Sequence, residues 1–482
     1  MGSAGPRRNV LLITADEMRH DCLGVAGHPA VRTPHLDALA ARGVRFTNAY
    51  TPFPVCVPAR MSLLSGQYAH AHGAVRNQTM LAPGQPTLPG LLRAAGYRTG
   101  AFGKMHFWPP YADVGFERMR LAEQNGAGWK IDDYHSDHLA ARGLVDRWDL
   151  WDQQQPYRDQ APQAYWASFG ARASELPEAD YHTTWIADET ISWLRSGDAR
   201  PFFAWVSFIK PHHPFDPPRP WDALYDPGAM PALGDPAAAL GKPLMTAGGR
   251  RDPRRGHFDL RGFTPQDFGR VAALYYATIT HIDHHVGRIL SALGDSGQLE
   301  DTLVVFASDH GDYMGDYGLI LKSPSVPYDA LAKVPLLVAG PGCRPGTTSD
   351  ALVSLIDLLP TAAGAASVPV PASVQGRDLA PLLQRATGGP WRDAVFSESG
   401  DVKAVRTQRF KYLYNGRLGM EELYDVEADP GELVDLSRTA GAAAVIAGMR
   451  HRLLDWMIDT ECDRHGEEGT WRDLVDRRRL PR

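Results

Sequence analysis

A cysteine stands where a helix is about to begin. In PFPVCVPARMSLLSG, Cys56 precedes an apolar run that carries Pro58 in its first turn and Gly66 at its end, the punctuation of a helix. A side chain at that place faces free backbone N–H groups and the positive end of the helix dipole. It suits an anionic nucleophile and an anionic substrate. Arg60, four residues on, can turn back towards it.

Other reactive residues follow predicted strands. The apolar run Asn9–Thr14 leads to Asp16 and Glu17. Arg98–Gly103 leads to Lys104 and His106, Pro201–Phe208 to Lys210 and His212, and Thr302–Ala307 to Asp309 and His310. Helical patterns lie between these runs: TPHLDALAARG (Thr33–Gly43, with Thr33 as cap and Gly43 as stop), TLPGLLRAAG (Thr87–Gly96), His182–Ser196 and a long one over Pro265–Leu293. Val334–Ala339 is a further buried strand. Strands alternating with helices predict an α/β fold, a mostly parallel sheet flanked by helices on both faces. In such a sheet the carboxyl ends of the strands share one edge, where ligand sites form. Residues three hundred positions apart therefore converge.

Two stretches break the pattern. Pro109–Asp180 is polar, aromatic and irregular, and Asp216–Gly262 is rich in proline and glycine; both read as insertions over one face, where substrate is selected. Tryptophans and tyrosines up to Trp166 either stack on a leaving group or pack the insertion onto the core. After about Gly388 the pattern changes to short strands (AVFSES, AVRTQRFKYLYN, EELYDV) and a helix near Ala442–Ile458. We expect a catalytic domain over 1–387 and a smaller α+β domain over 388–482 carrying an antiparallel sheet.

The 482 residues are ordinary for a soluble protein, 44% hydrophobic and 22% charged. The formal net charge of −6 gives no global basic field for nucleic acid. No apolar stretch reaches the length that crosses a bilayer. Four cysteines, Cys22, Cys56, Cys343 and Cys462, are no disulfide framework, and reduced thiols suit the cytoplasm. The N-terminal apolar run reads as a strand rather than a signal peptide, with a leader ahead of it left open.

Cys56, Pro58 and Arg60 match the C-x-P-x-R core of the type I sulfatase signature, continued by MSLLSGQYAHAHG. GKMHF (Gly103–Phe107) resembles the family's second signature, SDHGDYMGDYG (Ser308–Gly318) its metal-binding segment, KPHHPF (Lys210–Phe215) its H-x-P segment, and ELYDVEADPGELVDL (Glu422–Leu436) its C-terminal stretch. These anchors stand in family order along nearly the whole chain. The resemblance implies an alkaline-phosphatase-like fold and a cysteine oxidised to formylglycine by a separate maturation enzyme. A thiol attacking sulfur would form a thiosulfate that is hard to release. A hydrated aldehyde offers two hydroxyls on one carbon: one attacks sulfur, and the other then loses its proton and expels sulfate by restoring the aldehyde.

Carried over position by position, the resemblance makes Asp16, Asp309 and His310 ligands of one divalent cation, with Glu17 a fourth. Calcium is the first choice for a carboxylate site, with magnesium as an alternative. The histidine brings manganese into range. Many relatives have Asp or Gln at the Glu17 position and Asn at that of His310. Arg60 and Lys104 orient the formylglycine, and Lys322, in LILKSP, neutralises sulfate oxygens. His106 is the base of the elimination step and His212 the acid for the leaving oxygen. Asn77 donates a hydrogen bond to substrate.

Blander readings stand beside these. Cys56 as a small buried residue, Asp16 and Glu17 as caps, and Lys104 and His106 as loop residues are the alternatives. Lys210 reads equally as a solvated lysine, and spacing does not choose between His212 and His213. His281, His284 and His285, though at helical spacing, read as interface or surface residues rather than a metal site. For the whole chain, a phosphonate monoester or phosphodiester hydrolase shares the nucleophile and the Asp-His pair, but GKMHF argues for sulfate. An inactive anion-binding protein with unmodified Cys56 is the third reading. The substrate is a small sulfate ester whose leaving group (aryl, alkyl, choline or sugar) is not legible; nor is the oligomeric state.

Overall fold

The computed structural model describes residues 8–124, 133–153, 155–247, 252–384 and 391–461. Eight strands form the main sheet: β1 (Asn9–Asp16), β2 (Gly43–Tyr50), β3 (Arg98–Gly103), β4 (Arg118–Leu121), β5 (Phe202–Pro211), β6 (Thr302–Ser308), β7 (Lys333–Ala339) and β8 (Thr347–Ser354). Their spatial order is β4-β3-β5-β1-β6-β7-β2-β8. β7 alone runs against its neighbours β6 and β2; the other pairings are parallel. The expected mostly parallel sheet is present.

Side-chain alternation along β1 assigns the two faces. Leu11 and Ile13 join one core with α1 (Pro34–Ala41), and Val10 and Leu12 join the other with α2 (Cys56–Ser65) and α3 (Leu88–Ala94). The first core also receives α4 (His182–Leu194) and α5 (Pro265–Asp295), through Trp185, Ile186 and the apolar stripe from Phe268 to Leu293; the second receives α6 (Leu358–Ala365). A capping box closes the start of α5, with the Thr264 hydroxyl accepting from the Asp267 N–H and the Asp267 carboxylate accepting from the Thr264 N–H. Helices thus cover both faces of a buried sheet.

Three strands escaped the sequence pattern: β2, β4 and β8. Gly43, read as a helix stop, opens β2; a Cβ there would stand 2.1 Å from the Val338 carbonyl, so only glycine admits this approach to β7. Thr33 precedes α1 without capping it, its hydroxyl accepting instead from the Gly24 N–H at 2.8 Å.

The second sheet is antiparallel, as expected: β9 (Val395–Ser399), β10 (Val402–Arg406), β11 (Phe410–Asn415) and β12 (Met420–Asp425), in the order β12-β11-β10-β9. AVRTQRFKYLYN supplies two of these strands, joined by a turn. α7 (Ala442–Asp459) lays Ile446, Met449, Leu453 and Trp456 against Val405, Tyr412 and Leu423. The boundary expected at 387/388, and Cys462, lie outside the described residues. Among the described residues no helix is long and apolar enough to cross a membrane.

Candidate active site

Four adjacent strands, β3, β5, β1 and β6, deliver their carboxyl ends to one edge of the sheet. This adjacency brings Lys104, Lys210 and His212, Asp16 and Glu17, and Asp309 and His310 together. β2 runs in the same direction, so the chain leaving it reaches the same edge and enters α2 at Cys56. The Ser308 hydroxyl ties the edge by accepting from the Met18 N–H at 2.9 Å and lying 2.9 Å from the Ala15 carbonyl and 2.7 Å from that of His310.

Cys56 Sγ lies 3.2 Å from His310 Nε2 and 3.5 Å from Asp16 Oδ1. His310 Nε2 is 3.8 Å from Asp16 Oδ1 and 3.9 Å from Asp309 Oδ1. In a formylglycine this sulfur is replaced by oxygen on the same carbon, so Sγ marks the reacting position. One donor atom from each of Asp16, Cys56, Asp309 and His310 lies within 4.8 Å of the others, and all four residues are buried. That spacing fits donors around one divalent ion. The tautomer fits as well: His310 Nδ1 lies 2.9 Å from the Gly311 carbonyl, to which it can only donate, so the neutral ring turns a bare Nε2 towards the cluster. Burial would lower the His310 imidazole, yet Asp309 and the sulfur hold it up at about 9.

Glu17 departs from this group. Its backbone sits at φ 66, and its carboxylate turns to Lys322 Nζ at 2.7 Å and His212 Nε2 at 3.4 Å. It clusters with His212 and His213 rather than with the other three acidic and imidazole donors. Burial, opposed by Lys322, pushes its carboxyl up to about 7.

Three cations surround the sulfur. Arg60, fully buried, is fixed by Asp309 Oδ2 at 2.9 Å from Nε and by Ser207 Oγ at 2.7 Å from Nη1. Lys104 Nζ lies 2.6 Å from Asp16 Oδ2, and Lys322 stands on Glu17. β3 ends at Gly103, whose φ of 90 and whose approach to the Ser207 carbonyl (a Cβ would come within 2.0 Å) require glycine, and this close ending places Lys104. Burial raises the Asp16 carboxyl, but Lys104, His212, Arg60 and Lys322 outweigh it and hold it well below the usual range. Burial and Asp16 push the Cys56 thiol up, Lys322 and His310 pull it down, and the balance falls below its ordinary value.

Burial, then Lys104, lowers His106 to about 4, which leaves it neutral; its Nδ1 is buried without a hydrogen-bond partner among the described residues. Burial, Lys104 and Lys322 also hold His212 well below its ordinary value; its Nδ1 lies 2.6 Å from the His213 carbonyl, so Nε2 faces Glu17. His213 turns to Asp152 at 2.5 Å, which separates the two rings that spacing left open.

Other expectations change. Asn77 is exposed, and its side-chain oxygen accepts from the Val57 N–H at 3.3 Å, a contact with the start of α2 that does not use the amide N–H groups expected to donate to substrate. Lys210 is no solvated lysine: it is fully buried, 2.6 Å from Asp216 and 2.7 Å from the Pro214 carbonyl, because β5 continues through Pro211. His281 and His285 are buried, with their Nε2 atoms 2.9 Å apart, while His284 is exposed. Arg288 Nη1, 3.0 Å from His285 Nδ1, can only donate, so that ring's proton stays on Nε2 and opposes a metal there. Trp148 and Tyr165 are buried, so they pack the insertion onto the core rather than stacking on a ligand. Glu123 and Gln124, beside Lys104 and His106, carried no spacing signal and were missed.

The family model for sulfatases matches residues 8–368, and that for the C-terminal region of N-sulphoglucosamine sulphohydrolase matches residues 315–459. An arylsulfatase of Clostridium perfringens is 32% identical over 89% of this chain and 90% of its own length. A choline-sulfatase of Rhizobium meliloti is 30% identical over 89% and 82%. The solved phosphonate monoester hydrolase of Silicibacter pomeroyi superposes with a TM-score of 0.80 at 25% identity, covering 94% of this chain and 96% of that one. The chain belongs to the sulfatase family, within the alkaline phosphatase superfamily.

Proposed function

We propose that this sulfuric ester hydrolase cleaves a small sulfate monoester through a formylglycine derived from Cys56. The observation that carries the reading is the position of Cys56 Sγ: at the start of α2, 3.2 Å from a metal-competent His310 nitrogen, and ringed by Arg60, Lys104 and Lys322. Arylsulfatase and choline-sulfatase relatives support sulfate as the group removed.

In this reading Asp16, Asp309, His310 and residue 56 hold one divalent cation. When bound, it supplies polarisation of a sulfate oxygen and a lower pKa for the attacking hydroxyl. With Glu17 turned to Lys322, the protein offers two carboxylates and an imidazole. An imidazole in the set suits manganese better than calcium, which prefers oxygen alone. Arg60, pinned at two of its nitrogens, orients residue 56. Lys104 and Lys322 neutralise the sulfate oxygens as charge grows in the transition state. His212, whose Nε2 faces Glu17, carries the proton for the leaving oxygen; an anionic substrate alongside favours its imidazolium. Neutral His106 accepts the proton from the second hydroxyl when sulfate is expelled. Every residue of α2 is buried, so a maturation enzyme must reach Cys56 before α2 packs.

A phosphonate monoester hydrolase is the second reading, favoured by the superposition on the Silicibacter pomeroyi enzyme. Paired aryl sulfate and aryl phosphonate monoesters, turned over by protein of known formylglycine content, separate the two. We expect faster turnover of the sulfate; faster turnover of the phosphonate overturns this choice.

A further inference from the structure

Among the described residues β4 pairs only with β3, at the outer edge of the main sheet. The register Gly103↔Leu121 brings the segments that follow these two strands side by side. The Glu123 carboxylate accepts the N–H of Met105 at 2.8 Å and that of His106 at 2.9 Å. The Gln124 side-chain oxygen lies 3.4 Å from Lys104 Nζ, and its amide nitrogen donates to Asp149 Oδ1 at 3.1 Å. That second contact fixes which end of the amide meets the lysine. The backbones of His106 (φ 59) and Gln124 (φ 57) both sit in the left-handed region, a strained state that persists where surrounding contacts impose it. Asp133, which accepts from the Glu123 N–H, and Asp149 both belong to the part of the Pro109–Asp180 insertion that follows β4.

We infer that Glu123 and Gln124 are positioning residues for the reaction: Glu123 sets the backbone that carries His106, and Gln124 holds the ammonium of Lys104 towards the sulfate site. The inference rests on the roles proposed above for Lys104 and His106. Its physical basis is division of labour. Lys104 also pairs with Asp16, and a cation bound at Asp16 weakens that pairing, leaving Gln124 as the neighbour that holds the lysine. A neutral amide does so without cancelling the charge that must face sulfate; a carboxylate would cancel it. Later residues of the same insertion, Asp133 and Asp149, hold both from behind.

The test uses the metal-loaded enzyme with its formylglycine and metal contents measured, an aryl sulfate as substrate, and inorganic sulfate as inhibitor. Glu123→Gln should lower kcat about 10- to 100-fold, the scale of a misplaced catalytic group. Gln124→Glu should raise both KM and the inhibition constant for sulfate about tenfold, by the lost charge. Both variants should keep the parent's metal and formylglycine contents. Combined with His106→Asn, Glu123→Gln should add less than about threefold, because the two changes remove one function; full additivity would mark Glu123 as merely structural and overturn the inference. Should Glu123→Gln not fold, Glu123→Asp, which keeps the charge but shortens the reach, is read in its place and should lower kcat in the same direction. If Lys104→Met and His106→Asn leave turnover intact, the roles of those two residues fall and this inference with them. If they abolish it while the Glu123 and Gln124 variants stay within about twofold of the parent, this inference alone falls.

Discussion

Lys411 and Lys104 are both buried ammonium groups with carboxylate partners, in two clusters that are closed to different degrees. Lys411 belongs to the seam between the second sheet and the main fold, 2.7 Å from Asp329 and 2.8 Å from Glu432. Beside it, Glu422 accepts from the Tyr328 hydroxyl at 2.6 Å, the Tyr424 hydroxyl at 2.7 Å and the Leu244 N–H at 2.8 Å. Around residue 56, Arg60, Lys104 and Lys322 stand against Asp16, Glu17 and Asp309, with the Glu123 carboxylate close behind. Glu432 Oε1 of the seam has no hydrogen bond among the described residues but is held by the Lys411 charge at 2.8 Å, whereas Glu17 Oε1 and His106 Nδ1 are buried with no hydrogen-bond partner among the described residues. A closed cluster of this kind holds two parts of a chain together. A cluster with unused polar atoms gains two positive charges when a divalent cation enters, which favours the state that receives an ester anion.

The comparison breaks most visibly at residue 56. Cys56→Ala should reduce sulfate ester turnover by at least about 10⁴-fold while leaving melting close to that of the parent, as expected when a nucleophile is lost; steady-state assay and calorimetry report the two. At the seam the pattern should reverse. Lys411→Met strands Asp329 and Glu432, and should cost about 3–5 kcal/mol of stability in denaturant unfolding, with kcat per folded molecule little changed.

Lys322→Met probes the open cluster without removing the nucleophile. Losing one preorganised charge from the transition state should lower kcat/KM by about 10²–10³-fold. An unchanged kcat/KM would show that Lys322 serves only to pair with Glu17.

The smallest effect concerns pH. Burial raises the Glu398 carboxyl, but its hydrogen bond to His70 and the charge of Lys403 outweigh that and hold it at about 2. A carboxyl depressed in the fold stabilises above its unfolded value, near 4.5, and loses that contribution as pH falls towards 2. Glu398→Gln should therefore flatten the acid limb of the stability curve between these values, removing at most about 3 kcal/mol. Unfolding curves at stepped pH would show it.

Much of the site was legible because parallel strands end together. The predicted strands placed Asp16, Lys104, His212 and Asp309 at one edge, and Pro58 and Gly66 located the helix that begins at Cys56. The illegible parts lie where local pattern is weakest. β2 carries Arg45, Thr47 and Asn48, and β8 starts with the polar run TTSD beside open solvent at the sheet edge, so neither shows a continuous apolar run. Glu17 follows Asp16 directly, yet its left-handed backbone sends it to a different partner, a turn that no side-chain spacing encodes. Glu123 and Gln124 act across a register between strands, which only the paired sheet reveals.

If residue 56, as formylglycine beside a bound cation, carries the reaction, activity must follow both its conversion and the metal. Preparations with different fractions of Cys56 converted, measured by mass on the peptide that contains it, should be assayed on one aryl sulfate with excess manganese and again after chelation. Turnover should rise in proportion to the converted fraction, extrapolate to zero at zero conversion, and vanish reversibly when metal is removed. Full turnover by protein with an intact thiol, or turnover indifferent to chelation, would contradict it.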